Sequence, residues 1–133
     1  MGLAAWVLTA SLGGYLATVW LRHGGLQQRR AGVTRLPMWL VTGHAVLAVT
    51  GLGAWIDYLL SGTLPAAWAA CAIIVLVAGL GFTMLLRWRP SHGRHAHTET
   101  TAEQHFPLAA VVAHGMFAAV TILLVLLAAE GKP

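Results

Sequence analysis

Two histidines lie at matching positions inside two long apolar segments. In LPMWLVTGH and FPLAAVVAH a proline precedes the imidazole by seven residues, as Pro37 precedes His44 and Pro107 precedes His114. An ionisable side chain inside a lipid-spanning helix is costly, so it marks a candidate functional site whose partner has to be identified. We predict that each histidine is the partner of the other.

The composition requires a membrane setting for these segments. Of 133 residues, 58% are hydrophobic and 9% are charged, and the mean hydropathy is +0.73. Four apolar stretches each approach the roughly 20 helical residues that cross a bilayer core, and only helices satisfy their backbone there without a closed barrel. We predict an all-α bundle of four transmembrane helices in one domain, with helices near residues 3–21, 37–60, 66–88 and 106–129 and a histidine-rich loop over 89–105.

The charges predict the topology of the bundle. The net charge is +4, and the arginines are grouped in two loops, one after each odd-numbered helix. By the positive-inside rule both loops are cytoplasmic and both termini lie outside a plasma membrane of bacterial type. Basic residues segregated in this way do not indicate a nucleic-acid partner. All six tryptophans fall near helix ends, where we expect their rings at the headgroup level.

The chain also shows a weak internal repeat. An offset of 70 residues aligns Pro37 with Pro107 and His44 with His114, and an offset of 67 aligns Gly14 with Gly81. The pattern indicates a duplicated two-helix hairpin. A parallel repeat of this kind puts equivalent residues at equal depth on opposite sides of an axis along the membrane normal.

Equal depth gives the histidine pair a possible chemistry. His44 lies five residues beyond Trp39, which places it about 7 to 8 Å below the interface at the helical rise per residue, and His114 lies comparably deep. Two imidazoles at one level suit the axial coordination of a haem iron. Small neighbours such as Gly43, Ala48 and Gly115 leave room for a flat ligand, although close helix packing explains them equally well.

Other residues are candidates to support such a cofactor. Tyr15 and Thr83 lie at about the level of the histidines, so either side chain is a candidate hydrogen-bond partner that orients an imidazole. Arginines at the cytoplasmic helix ends can pair with haem propionates through charge-assisted bonds, although topology alone also accounts for them. These arginines are Arg22, Arg35, Arg87 and Arg89.

With four helices and paired histidines, the chain resembles the small transmembrane b-type cytochromes, including the cytochrome b561-like group of helical bundles. The resemblance implies one haem b between His44 and His114, electron transfer rather than a complete enzyme, and a quinone as a candidate partner. Because the chain has so little polar surface, we expect a homo-oligomer or a subunit of a larger respiratory or redox complex at least as readily as a lone monomer. The di-haem members need four histidines at two depths, whereas the outer half of this bundle has none.

Two other functions stay open. The long loop carries a second group of histidines that can bind zinc, nickel or copper as a metal-handling site, or be simply solvated. Alternatively, the protein is a small accessory subunit whose membrane histidines are satisfied by helix-to-helix hydrogen bonds. Asp57, near the outer end of the second helix, is a candidate proton carrier or an ordinary interfacial aspartate. The loop histidines are His92, His95, His97 and His105, accompanied by Glu99 and Glu103.

Overall fold

The computed structural model describes residues 1–88 and 101–131, and no strand occurs among them. Four long helices have the length and apolar character to cross a membrane. This confirms the predicted all-α architecture, with helix bounds that differ from the predicted ones by at most two residues. The elements are α1 (Gly2–Arg22), α2 (Gly25–Arg30), α3 (Met38–Ser61), α4 (Leu64–Trp88), a 3₁₀ turn (Ala102–His105) and α5 (Leu108–Ala129).

Proline begins both helices that carry a membrane histidine. Pro37 and Pro107 are the N-caps of α3 and α5, with extended backbone angles and carbonyls that accept the first helical N–H groups. A proline suits this position because its φ is fixed and it has no N–H to leave unpaired. Because the spacing from cap to histidine is the same, His44 and His114 fall in the same turn of their helices.

The helices pack crosswise between the two halves of the chain. α3 packs against α4, α1 packs against α5, and α4 contacts α5, whereas α1 and α3 contact each other little. α3 and α5 therefore lie across the bundle from one another. We call the end where α1 and α4 finish and α3 and α5 begin the arginine end, and the opposite end the terminal end.

Half of the tryptophans lie inside the protein rather than at the lipid interface. Trp6, Trp20 and Trp55 are only 4%, 3% and 3% exposed, whereas Trp39 and Trp68 are largely exposed. Each buried ring covers a glycine, where no side chain blocks it: Gly51, Gly25 and Gly2, respectively. These three rings therefore face the interior of the bundle rather than lipid, because glycines of neighbouring segments admit them to the core.

Two clusters of buried side chains close the ends of the bundle. The cluster at the terminal end contains the stacked pair Trp6 and Trp55, whose ring centres are 6.4 Å apart, and the buried Cys71. The cluster at the arginine end contains Trp20, Leu36 and Ala102.

Candidate functional site

The structure brings the two membrane histidines together. His44 on α3 and His114 on α5 have ring centres 6.2 Å apart, with an angle of 61° between the ring planes. Both side chains are partly buried. Their helices lie across the bundle, so the rings meet at one level near its axis, as equal spacing from the two prolines predicts.

Main-chain carbonyl groups orient both rings. His44 Nδ1 lies 3.0 Å from the Val77 carbonyl oxygen on α4, and His114 Nδ1 lies 3.0 Å from the Thr9 carbonyl oxygen on α1. A carbonyl only accepts, so each Nδ1 carries the proton and donates it, which in a neutral ring leaves the lone pair on Nε2. Metal-binding histidines typically donate their other ring N–H in this way. Each ring therefore has one oriented nitrogen and one that a metal can use.

A glycine makes each of these bonds possible. A Cβ added at Gly81 would lie 3.0 Å from His44 Cε1, and one added at Gly13 would lie 3.1 Å from His114 Cε1. Each glycine stands four residues after the carbonyl that accepts the bond, one helical turn along the same face. The missing side chain lets the imidazole lie against the facing helix backbone.

The same arrangement occurs twice, which gives the internal repeat its structural register. Thr9 and Gly13 on α1 correspond to Val77 and Gly81 on α4 with an offset of 68 residues. The sequence alignment placed Gly14 opposite Gly81, one residue out of register. The correction follows from the imidazole contacts, because an added Cβ at Gly14 meets no described residue within 4 Å whereas one at Gly13 meets His114.

The separation of the rings fits a single metal atom between them. Bonds of about 2.0 Å from a metal to two imidazole nitrogens put the ring centres about 6 Å apart, since each centre lies about 1 Å behind its nitrogen. The 61° between the ring planes is compatible with such an arrangement, because coordination by two imidazoles does not require one particular angle between their planes. No group of three or more metal-binding side chains occurs among the described residues. Two axial ligands are what a haem iron takes from a protein, because the porphyrin supplies the rest.

Tyr15 and Thr83 do not orient the imidazoles, contrary to the sequence-based expectation. The Thr83 hydroxyl donates to the Gly79 carbonyl of its own helix at 2.9 Å, and Tyr15 is 50% exposed on the outside of α1. Carbonyl groups take that role instead, and glycine brings them within reach.

Three of the four candidate arginines stand at the arginine end. The side chains of Arg22, Arg35 and Arg87 are exposed, and Arg87 Nη1 donates to the Arg35 carbonyl at 3.4 Å. Arg89 lies outside the described residues. The structure thus gives this end of the bundle a positive charge.

Most of the histidine-rich loop, including His92, His95 and His97, lies outside the described residues. His105 stacks on His23 at the end of α1, with ring centres 3.9 Å apart and an angle of 14° between the planes. Lone pairs lie in the ring plane, so two parallel rings hold them side by side instead of converging on one ion. This pair is therefore a ring stack and not a preformed chelate.

Glu103 has a role that the sequence did not indicate. Its side chain is 1% exposed and accepts hydrogen bonds from the Arg35 N–H at 2.8 Å and the Thr34 hydroxyl at 3.1 Å. Its main-chain carbonyl accepts the Trp88 indole N–H at 2.7 Å. Glu103 thus joins the connection before α3 to the connection before α5, rather than standing free as a loop metal ligand.

Asp57 is exposed on α3.

Known proteins do not supply a family for this chain. Comparison with protein-family models, curated proteins and solved structures finds no match. The resemblance to b-type cytochromes therefore remains one of layout, carried by four apolar helices and by the facing pair His44 and His114.

Proposed function

We propose that this protein binds one haem b within the membrane, with the iron between His44 and His114, and carries electrons. The observation that supports the proposal best is the pair of rings 6.2 Å apart, each held at Nδ1 by a carbonyl of the facing helix. When bound, the haem would supply one-electron redox chemistry.

The chain's own residues would hold the ligands in place. The carbonyls of Thr9 and Val77 fix the tautomer and the direction of each ring and increase its basicity as a ligand. Gly13 and Gly81 keep the rings against the backbone. The rings are thus already oriented at Nδ1, and the apolar helices around them would set the polarity that tunes the reduction potential.

The charge pattern supports an orientation for this electron carrier. The positive-inside rule places the arginine end in the cytoplasm and both termini outside, so the iron would lie nearer the inner surface. In the described helices, no histidine falls in the half nearest the terminal end. One haem at one depth needs a further carrier to cross the bilayer, and we propose a membrane quinone or another subunit of a redox complex for that role.

One observation favours a second candidate function, that of an accessory subunit without a cofactor. Both membrane histidines already have hydrogen bonds to neighbouring helices, which satisfy polar side chains inside a bundle. The same bonds that would orient haem ligands would then serve only to join helices.

Purification from cells supplied with haem separates the two functions. We expect the detergent-solubilised protein to show a b-type absorption spectrum that sharpens on dithionite reduction, with one haem per chain. His44→Ala and His114→Ala should each replace that low-spin spectrum by a high-spin one, and the control His23→Ala should retain it. A colourless wild-type protein with full helical circular dichroism would favour the accessory subunit. Metal that is retained through the loop histidines instead would support the metal-handling alternative.

A further inference from the structure

Three buried polar atoms have no hydrogen-bond partner in the part of the chain that the structure describes. They are the indole nitrogens of Trp20 and Trp55 and the hydroxyl of Thr101. Trp20 is 3% exposed and Thr101 is 6% exposed. Buried polar groups are nearly always paired, so unpaired ones need an explanation such as a missing ligand contact.

Two of these donors lie on the same side of the histidine pair. Trp20 belongs to the buried cluster at the arginine end together with Ala102, and Thr101 directly precedes Ala102. Trp20 follows Gly13 by seven residues on α1, which is two turns along the same face, or about 10 Å towards the arginine end. The indole itself lies against Gly25 of α2. Val41 and Met84 pack against the same cluster, and they stand one helical turn from His44 and Gly81.

The internal repeat supplies a comparison for Trp20. With the offset of 68 residues, Trp88 on α4 is its equivalent. The Trp88 indole N–H donates to the Glu103 carbonyl at 2.7 Å, whereas the Trp20 N–H has no partner among the described residues. At this position of the repeat, the fold therefore provides a hydrogen-bond acceptor for the indole of Trp88 in the second half of the chain. The described residues provide none for the indole of Trp20 in the first half.

We propose that the Trp20 indole N–H and the Thr101 hydroxyl bind a carboxylate of the haem, so that its propionates face the arginine end. This inference rests on the proposed function. A carboxylate is a strong acceptor for such donors, and a haem bound at the histidines carries two.

The charges at this end agree with a bound carboxylate. Arg22, Arg35 and Arg87 give the arginine end a positive charge. Glu103 brings a negative charge close to Thr101, but its two carboxylate oxygens accept bonds from the Arg35 N–H and the Thr34 hydroxyl. Its charge is thus already partly compensated within the protein.

Two matched substitutions test the inference. Trp20→Phe should accelerate haem transfer to a scavenging apo-globin by about tenfold or more, the effect of losing a hydrogen bond to a charged group. In thermal unfolding, the haem-free Trp20→Phe protein should be no less stable than Trp88→Phe. Trp20→Phe removes a donor that has no partner among the described residues, whereas Trp88→Phe removes the hydrogen bond to the Glu103 carbonyl. Trp88→Phe removes the same ring volume and should leave haem transfer within about twofold of wild type.

A second measurement removes the effect of ring size. Replacing the Trp20 indole by benzothiophene keeps the shape of the ring and deletes the N–H, and it should shift the propionate bending band in the resonance Raman spectrum. Thr101→Val should shift the same band. Unchanged bands together with equal haem transfer rates in Trp20→Phe and Trp88→Phe would overturn the inference while the haem itself stays bound. A wild-type protein that binds no haem would instead overturn the proposed function, and this inference with it.

Discussion

His44 and His114 are held by main-chain atoms rather than by polar side chains. Their positions could be predicted because an ionisable residue stands out in an apolar helix and because the two prolines give them equal spacing. Their partners could not be predicted, because every residue offers a carbonyl and only the packing of α4 and α1 shows which one is used. Tyr15 and Thr83 carry polar side chains at about the level of the histidines, but neither orients a ring.

The glycines beside the rings give a prediction at the residue scale. Gly13→Ala and Gly81→Ala each add a methyl group about 3 Å from an imidazole carbon. The methyl group would push the ring from its carbonyl, so we expect haem affinity to fall by about 10- to 100-fold, the usual cost of losing such support for a metal ligand. Titration of the haem-free variants with haemin measures the loss.

Neighbouring glycines provide the control for this prediction. Gly14 and Gly79 lie on the same two helices, and an added Cβ at either has nothing within 4 Å. Gly14→Ala and Gly79→Ala should therefore bind haemin like wild type. Equal affinities across all four variants would show that the rings do not depend on contact with glycine.

At the scale of the elements, the helices and the connections differ in how far the sequence predicts them. The bounds of α1, α3, α4 and α5 follow from hydropathy and from the two caps. The connections depend on side chains far apart in sequence, such as Glu103 bonded to Arg35, which periodicity does not reveal. The inward turn of three tryptophans likewise depends on glycines of other segments.

The Glu103 contacts predict a change in stability. Glu103→Gln keeps the shape of the side chain but replaces one acceptor oxygen by a donor, so either the Thr34 hydroxyl or the Arg35 N–H loses its acceptor. We expect the free energy of unfolding to fall by about 1 to 3 kcal/mol, the cost of a buried unpaired group. Thermal unfolding of the haem-free protein, followed by circular dichroism, measures it.

A substitution at Gln104 tests whether any change in the 3₁₀ turn would lower the stability as much as Glu103→Gln. Gln104 lies in the same 3₁₀ turn and is exposed, so Gln104→Ala should change the unfolding free energy by less than about 0.5 kcal/mol. If the free energy of unfolding of Glu103→Gln equals that of Gln104→Ala, Glu103 does not hold the two connections together.

At the scale of the whole molecule, two copies of one hairpin face each other, and each copy positions the membrane histidine of the other. The histidine of α3, in the first half of the chain, is held by α4 in the second, and the histidine of α5, in the second half, is held by α1 in the first. The prolines and histidines reveal the repeat in the sequence, but only the imidazole contacts give the correct register between α1 and α4. Because each half positions the histidine of the other, the oriented histidine pair exists only when both hairpins are docked.

Electron paramagnetic resonance of the ferric protein at low temperature tests the central claim most directly, because it reports the axial ligands of the iron. We predict a low-spin signal typical of two imidazole ligands in the wild-type protein, replaced by a high-spin signal in both His44→Ala and His114→Ala. A high-spin signal in the wild-type protein, or a low-spin signal that survives either substitution, would contradict an iron held between these two rings.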